Sequence, residues 1–383
     1  MISGFDIICI STSEWESPWG SRQQLMSRLS KGNRIFFVEY RYSVIHFLLK
    51  PSLIAKIIKG SLRKINNSLF VYIPLPNLPF GNYFECINFI NQKFLDLQIR
   101  QIRNKYSLKN ILFWSFSPTT HHLVKNFEKT LLVYHCIDNY TEEKRSFLRR
   151  KCIGKLEAQL IKISDIVFTS SKFLYNKIKS IKGETFFIPS GVDINFSVLK
   201  VDKTVDLNVE QGPIVGFIGS LDKRINSELL LLMRKSLPYC QIALIGKNLL
   251  DKKVNKRFID SGIILLGWKK YEIIAEYIKY FKVCIIPYRV NEFTKAIFPI
   301  KTYEYLLMGK PVVCTKLPEL DFIDNQGLIR IAADNNDFIK QVEYYVNNDS
   351  LENSVKRTKF ASANSWDARI EEISSIIYKK IKQ

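Results

Sequence analysis

Short apolar, β-branched runs alternate with helix-periodic stretches along most of the 383 residues, and this alternation limits the fold more than any other feature. In the first half the runs are FDIICIS (5–11), RIFFVEY (34–40), SLFVYIP (68–74), NILFWSF (110–116), TLLVYHCI (130–137), DIVFTSS (165–171) and TFFIPSG (185–191). The second half adds PIVGFIGS (213–220), QIALIGK (241–247), GIILLGW (262–268), VCIIPYR (283–289) and KPVVCTK (310–316). Strands apolar on both faces must be covered on both faces, which is the condition of a parallel sheet flanked by helices. Helices are predicted at 21–31, 85–106, 145–162, 226–236, 271–280, 301–308 and 336–348. The class is therefore α/β, with two doubly wound, Rossmann-like parallel-sheet domains. A prior of about 150 residues per domain also favours two.

The junction is expected after IPSGVD (188–193), where Pro189 and Gly191 punctuate the last strand of the first half. A polar, strandless linker follows to about 211. The expected domains are 1–194 and 195–365, with a closing helix at 366–383. That helix places Trp366, Ile370, Ile373, Ile377 and Ile381 on one stripe and needs a groove, which the first domain could supply.

Charge is shared unevenly. Residues 1–190 hold 28 Lys and Arg against 13 Asp and Glu, so most of the net +21 lies on the first half. Such a field suits phosphorylated ligands, an anionic membrane surface or nucleic acid. Residues 50–65, KPSLIAKIIKGSLRKI, combine an apolar stripe with five cations and are expected to form a basic amphipathic helix, either membrane-facing or simply packed on the core. No compact basic motif with exposed aromatics is recognisable, so nucleic acid is not the expected partner. No apolar run approaches the roughly 18–20 residues needed to span a bilayer, and MISGFDIICI lacks a basic n-region and a cleavage site. Seven cysteines without a C-x-x-C are read as buried thiols of a reducing cytoplasm. No metal or other cofactor is expected, because four histidines show no ligand spacing and D-x-D is absent. The lack of G-x-G-x-x-G and G-x-x-x-x-G-K-[ST] disfavours dinucleotide oxidoreductases and P-loop enzymes.

The segment IIPYRVNEFTKAIFPIKTYEYLLMGKPVVCTKLPE (285–319) reads as a buried strand, a polar loop, a short helix opening near Lys301, a stop at Gly309 and another strand. Loops at the carboxyl ends of parallel strands hold ligands, and a helix mouth there favours an anion. With Glu304 in the first turn to accept two sugar hydroxyls, the segment suits a nucleoside diphosphate. FPIKTYEYLLMGKPVV is similar to the donor-binding signature of GT-B glycosyltransferases, above all the retaining family 4 group. IICISTSEWESPWGSRQQLMSRLSKGNRIFFVEY, IVFTSSKFLYNKI with FFIPSGVD, and IVGFIGSLDKRINSELL resemble further parts of such enzymes, of the teichuronic-acid and capsular polysaccharide type. Residues 45–105 carry little of the resemblance.

The resemblance implies two domains facing a cleft and a nucleotide-sugar donor held by the second. Glu304 then resembles the ribose-binding carboxylate, Gly219 the close approach to pyrophosphate, and Lys223 or Arg224 the cation on the β-phosphate, with Arg289 and Lys301 as further candidates. Family 4 enzymes commonly carry two glutamates with seven residues between them, but the earlier position here is Ala296, leaving Glu292 as the nearest upstream acid. In the first domain His135 resembles a histidine that touches the donor sugar, and Asp138 is expected to orient a hydroxyl or cap the next helix. Trp15, Trp19, Arg22 and Gln23 are expected on the acceptor side.

The expected activity is metal-independent transfer of a sugar to a cell-surface polysaccharide or lipid-linked glycan, with retention implied by the resemblance alone. It is placed in the cytoplasm, peripherally at the inner face of the plasma membrane, with the basic first domain toward the anionic lipid. A non-catalytic nucleotide-sugar-binding homologue, a nucleotide-sugar epimerase and a basic nucleic-acid- or membrane-binding protein are the alternatives.

Overall fold

The computed structural model describes residues 1–17, 19–49, 62–141, 146–198 and 206–383. The chain forms two compact units, one of residues 1–189 with 369–383 and one of residues 190–368. The junction expected at 194/195 thus lies at Pro189/Ser190 by contact, and the closing helix changes unit at Arg369.

The first unit is built on β1 (Asp6–Ile10), β2 (Arg34–Val38), β3 (Leu62–Lys64), β4 (Leu69–Tyr72), β5 (Ile111–Ser115), β6 (Leu131–Cys136), β7 (Ile166–Thr169) and β8 (Thr185–Phe187). Their order is β3-β4-β2-β1-β5-β6-β7-β8, all parallel except β3. The second unit carries β9 (Ile214–Ile218), β10 (Gln241–Ile245), β11 (Ile264–Gly267), β12 (Phe281–Ile286), β13 (Val312–Cys314) and β14 (Arg330–Ile331), in the order β11-β10-β9-β12-β13-β14, all parallel. Both are Rossmann-like sheets covered by helices. The continuous burial of β1, β5, β6, β9 and β10 explains why their sequences are apolar without alternation. Each fully buried Ile, Leu, Val or Phe of these strands contributes about 1.5–3 kcal/mol.

Residues 62–64 correct the expected helix over 50–65, whose remaining residues 50–61 lie outside the described part. Leu62–Lys64 pairs antiparallel with β4, from Leu62 opposite Tyr72 to Lys64 opposite Phe70. Asn66 makes the turn, its Oδ1 accepting from the amides of Ser68 at 2.9 Å and Leu69 at 2.8 Å. Arg63 and Lys64 then sit on an edge strand, where charge discourages further pairing. Helices Lys172–Lys179, Lys252–Asp260 and Leu351–Ala363 were not expected, because their lysine-rich sequences bury only a few side chains each.

Helix Glu85–Lys105 packs Leu95, Ile99 and Ile102 into the core but mixes polar and apolar residues on both faces. It buries Asn88, Asn91, Gln92 and Gln98 while exposing Phe89, Ile90, Phe94 and Leu97. Two of the buried amides, Asn91 and Gln98, serve the chain before it. Gln98 Oε1 accepts from Tyr72 Oη at 2.9 Å and Leu75 N at 2.8 Å, and Asn91 both accepts from Leu78 N and donates to its carbonyl. A loop with no ladder of its own needs those partners.

All seven cysteines are free. Six are buried and Cys86 is exposed, which corrects its reading as a buried thiol. No described helix is long and apolar enough to cross a membrane.

Candidate functional site

In an open parallel sheet the ligand crevice lies beyond the carboxyl ends of the strands where the order reverses. In the second unit that point is between β9 and β12. β9 is followed by Gly219, whose amide donates to the Ile245 carbonyl at 2.8 Å. A Cβ on Gly246 would stand 1.9 Å from the Gly219 carbonyl oxygen, so the ends of β9 and β10 approach this closely only because residue 246 lacks one. The next loop contains Lys223, which is exposed, and Arg224. Arg224 is clamped by Asp222 through Nε–Oδ1 at 2.9 Å and Nη2–Oδ2 at 2.7 Å, and its guanidinium lies 5.6 Å from the centre of the Tyr288 ring. Burial raises the Asp222 pKa, but the Arg224 hydrogen bonds outweigh it and hold the carboxyl below its usual range.

Arg289 works as a strap between the two strand ends. Its amide donates to the Arg224 carbonyl, its Nε to the Ile225 carbonyl at 3.0 Å and its Nη2 to Ser227 Oγ at 3.0 Å. These three donors are engaged with Arg224, Ile225 and Ser227. The expected helix mouth is corrected. In helix Lys301–Leu307 the amides of Thr302 and Tyr303 donate to the carbonyls of Pro299 and Ile300, so they are not spare. Glu304 is 5% exposed and receives Lys301 Nζ at 2.8 Å. Tyr305 Oη accepts from Ile218 N at 2.8 Å and ties this helix to the end of β9. Thr302 Oγ1 is buried without a partner. Glu292 lies apart from this group of contacts, in a short helix capped by Asn291, and its exposed carboxylate pairs with Lys295 at 2.7 Å.

In the first unit the order reverses between β1 and β5. A cavity of about 320 Å³ opens at these strand ends, lined from β1 and its loop by Ile10, Ser11 and Thr12, and from β2 by Val38 to Arg41. Arg22, Asn77, Gln92, Ser117 to Thr120, Asp138, Tyr140 and Arg149 complete much of the wall. Arg22 and Asp138 are thus brought together, 3.6 Å apart, with the Arg22 guanidinium also 5.9 Å from the Phe116 ring centre.

The other expected residues of this unit are not in that wall. Gln23 is buried, its amide donating to the Glu14 carbonyl at 3.0 Å and accepting from Gly20 N, so it shapes the helix start. Trp15 is also buried, edge-on to Phe37 and to the exposed Trp19, and its amide donates to Glu39 at 2.8 Å. Trp15 thus packs and Gln23 caps within the unit. His135 stands in β6, stacked on Phe116 with ring centres 5.1 Å apart, and Trp114 and Phe168 complete its surroundings. Burial, then the Arg22 charge, pushes its pKa down to about 3, so the imidazole is neutral at ordinary pH. Asp138 does not cap the following helix, because Ser146 accepts from Arg149 N there.

Glu39, Arg41, Asn77, Gln92 and Arg149 were missed. The rule that pointed to the loop after β12 would also have selected Glu39 and Arg41, which follow β2, but Asn77 and Gln92 come from a stretch without a recognised motif. Among the described residues, no group of three or more His, Cys, Asp or Glu could hold a metal ion.

The chain is similar over 98% of its length to 99% of a sucrose-phosphate synthase from Thermosynechococcus elongatus, with a TM-score of 0.71 and 14% identity. The fold is GT-B. The same GT-B fold is found in an Anabaena protein in complex with UDP and glucose, with a TM-score of 0.68 and 14% identity over 98% of this chain and 100% of that one. An E. coli structure described as trehalose-6-phosphate bound with UDP-2-fluoro glucose gives a TM-score of 0.71 at 8% identity, over 97% of this chain and 98% of that one. Within the GT-B chain, residues 212–348 match the family described as Glycosyl transferases group 1. The putative teichuronic acid biosynthesis glycosyltransferase TuaH of Bacillus subtilis (strain 168) is 25% identical over 202 residues, 49% of this chain and 51% of that protein. This chain therefore spans about half the length of the curated relative it matches.

Proposed function

We propose that this protein is a glycosyltransferase that moves a sugar from a nucleoside diphosphate onto a cell-surface polysaccharide or lipid-linked glycan, without a metal and with retention at the anomeric carbon. The match of residues 212–348 to Glycosyl transferases group 1 carries the reading, because that span contains Gly219, Lys223, Arg224, Lys301 and Glu304 at the strand ends of one sheet. Glu304 is the ribose partner once Lys301 turns toward a phosphate, and Lys223 with Arg224 meets the charge that develops on the departing diphosphate. Stabilising that charge with fixed cations is the main demand on a metal-independent site.

The acceptor side is proposed to work at the cytoplasmic face of an anionic membrane. Two observations support this: the basic excess of residues 1–190, and the exposed Phe89, Phe94 and Leu97 on helix Glu85–Lys105 with Phe84 just before it. Apolar side chains within a cationic surface suit anionic lipid better than water.

Thermal unfolding with UDP, GDP, ADP, TDP and their sugar conjugates tests the donor assignment. A ligand at 100 times its Kd adds about 2.7 kcal/mol, and one base should do so for the native chain but not for Glu304→Ala or Arg224→Ala. If no nucleotide stabilises the protein while DNA or anionic vesicles bind it, the transferase reading fails.

A further inference from the structure

The cavity at the carboxyl ends of β1, β2, β5 and β6 is bordered by an unusual set of incomplete polar groups. Buried polar atoms normally find partners, so an orphaned one asks for an explanation. Six side chains of this one wall each hold such an atom: Thr12 Oγ1, Arg22 Nε, Arg41 Nη2, Asn77 Oδ1, Gln92 Oε1 and Arg149 Nε. They come from separate parts of the first unit and share only the cavity. Arg41 is the most constrained of them. Its Nε donates to the Leu75 carbonyl at 3.2 Å and its Nη1 to the Asn91 carbonyl at 2.6 Å, which leaves the third nitrogen directed by the fold without a partner.

We infer that this cavity binds a single acidic sugar, with the three guanidinium groups facing its carboxylate or phosphate and Thr12, Asn77 and Gln92 facing its hydroxyls. The donors outnumber what neutral hydroxyls require, and guanidinium is the side chain best matched to a two-oxygen anion. Asn77 and Gln92 add acceptors, which the several hydroxyls of a sugar use better than an inorganic anion does. The balance of charge also fits, since the wall carries the three guanidinium groups against two carboxylates, Asp138 facing Arg22 and Glu39 accepting from the Trp15 amide. A volume of about 320 Å³ is at the small end of small-molecule sites, enough for one sugar ring and its anion. This inference rests on the transferase reading for its biological sense, since it assigns the terminal residue of the acceptor, but its chemistry lies wholly within the first unit.

The test is calorimetric titration of the full chain, with and without UDP, against glucuronate, glucose 6-phosphate, glucose and inorganic phosphate. One acidic sugar should bind at least tenfold more tightly than glucose and than inorganic phosphate, and the preference between glucuronate and glucose 6-phosphate identifies the anion. Arg41→Gln should abolish this binding. Because Arg41 also holds two backbone carbonyls, Arg22→Gln and Arg149→Gln are made in parallel, each checked for an unchanged circular dichroism spectrum and each expected to weaken binding tenfold or more. Equal binding of glucose, equal binding of inorganic phosphate, no binding of either acid, or retained affinity in the folded variants would each overturn the inference. Glu304→Ala separates the two readings: it should lose nucleotide binding while keeping the acidic sugar. Loss of nucleotide binding in the native chain alone would count against the transferase and leave this site standing.

Discussion

Protonating His135 would place a cation between Phe116, Trp114 and Phe168 with the Arg22 charge nearby, and this sets a pH dependence. Its native pKa, about 3, lies below the ordinary value near 6.5. Above about 6.5 both folded and unfolded forms are neutral; below it the unfolded chain takes up a proton that the folded chain refuses, so stability falls with pH until about 3. Lowering the pH from 7 to 5 should cost about 2 kcal/mol through this residue. Urea titrations at the two values should show that loss shrink by about this amount in His135→Phe, whereas an unchanged loss would assign the dependence to other groups. The sequence showed that His135 ends a strand in the region expected to meet a ligand. It could not show the three aromatic neighbours, which come from β5, β7 and the residue after β5 and meet only across the sheet. Arg224 is a similar case: its charge was legible, but its clamp by Asp222 depends on the turn of the loop between them.

The helix that carries Lys301 and Glu304 is supported from behind by helix Leu351–Ala363. The Arg357 side chain, 2% exposed, donates from Nε to the Gly309 carbonyl at 2.9 Å and from Nη2 to both Asp349 oxygens at 2.6 Å. Thr358 Oγ1 adds a contact to the Leu307 carbonyl at 3.3 Å. Removing one partner of a buried ion pair leaves the other uncompensated, so Arg357→Met should destabilise by about 3–5 kcal/mol. Arg357→Lys should recover little of this, because one ammonium cannot reproduce the fork. Denaturant midpoints measure both, and nucleotide affinity should fall with them if helix 301–307 shifts. The alternation of strand and helix was plain in the sequence because both sheets are buried on two faces. The helices that escaped notice are those that bury least, and Glu85–Lys105 shows a different limit. Its apolar period finds Leu95, Ile99 and Ile102 on the inward face but not the buried Asn91 and Gln98, which are inward because the segment they cover needs hydrogen bonds.

At the scale of the molecule the first unit is discontinuous. Residues 369–383 return to it with Ile370, Ile373 and Ile377 buried, Ile2 N donating to Ser374 Oγ at 2.9 Å and Lys380 pairing with Glu184 at 2.8 Å. Each buried isoleucine contributes about 1.5–3 kcal/mol. Deleting 369–383 should therefore lower the melting temperature of the first unit and raise amide exchange in β1, while exchange in β9 and β10 stays close to native; equal effects on both sheets would refute the division. Translation gives this arrangement an order in time. The ribosome makes residues 1–189 first and the whole of 190–368 next, so the nascent first unit waits, with the groove for its last helix open, until its own final segment has been synthesised. During that interval the apolar surface that Ile370, Ile373 and Ile377 later cover faces water.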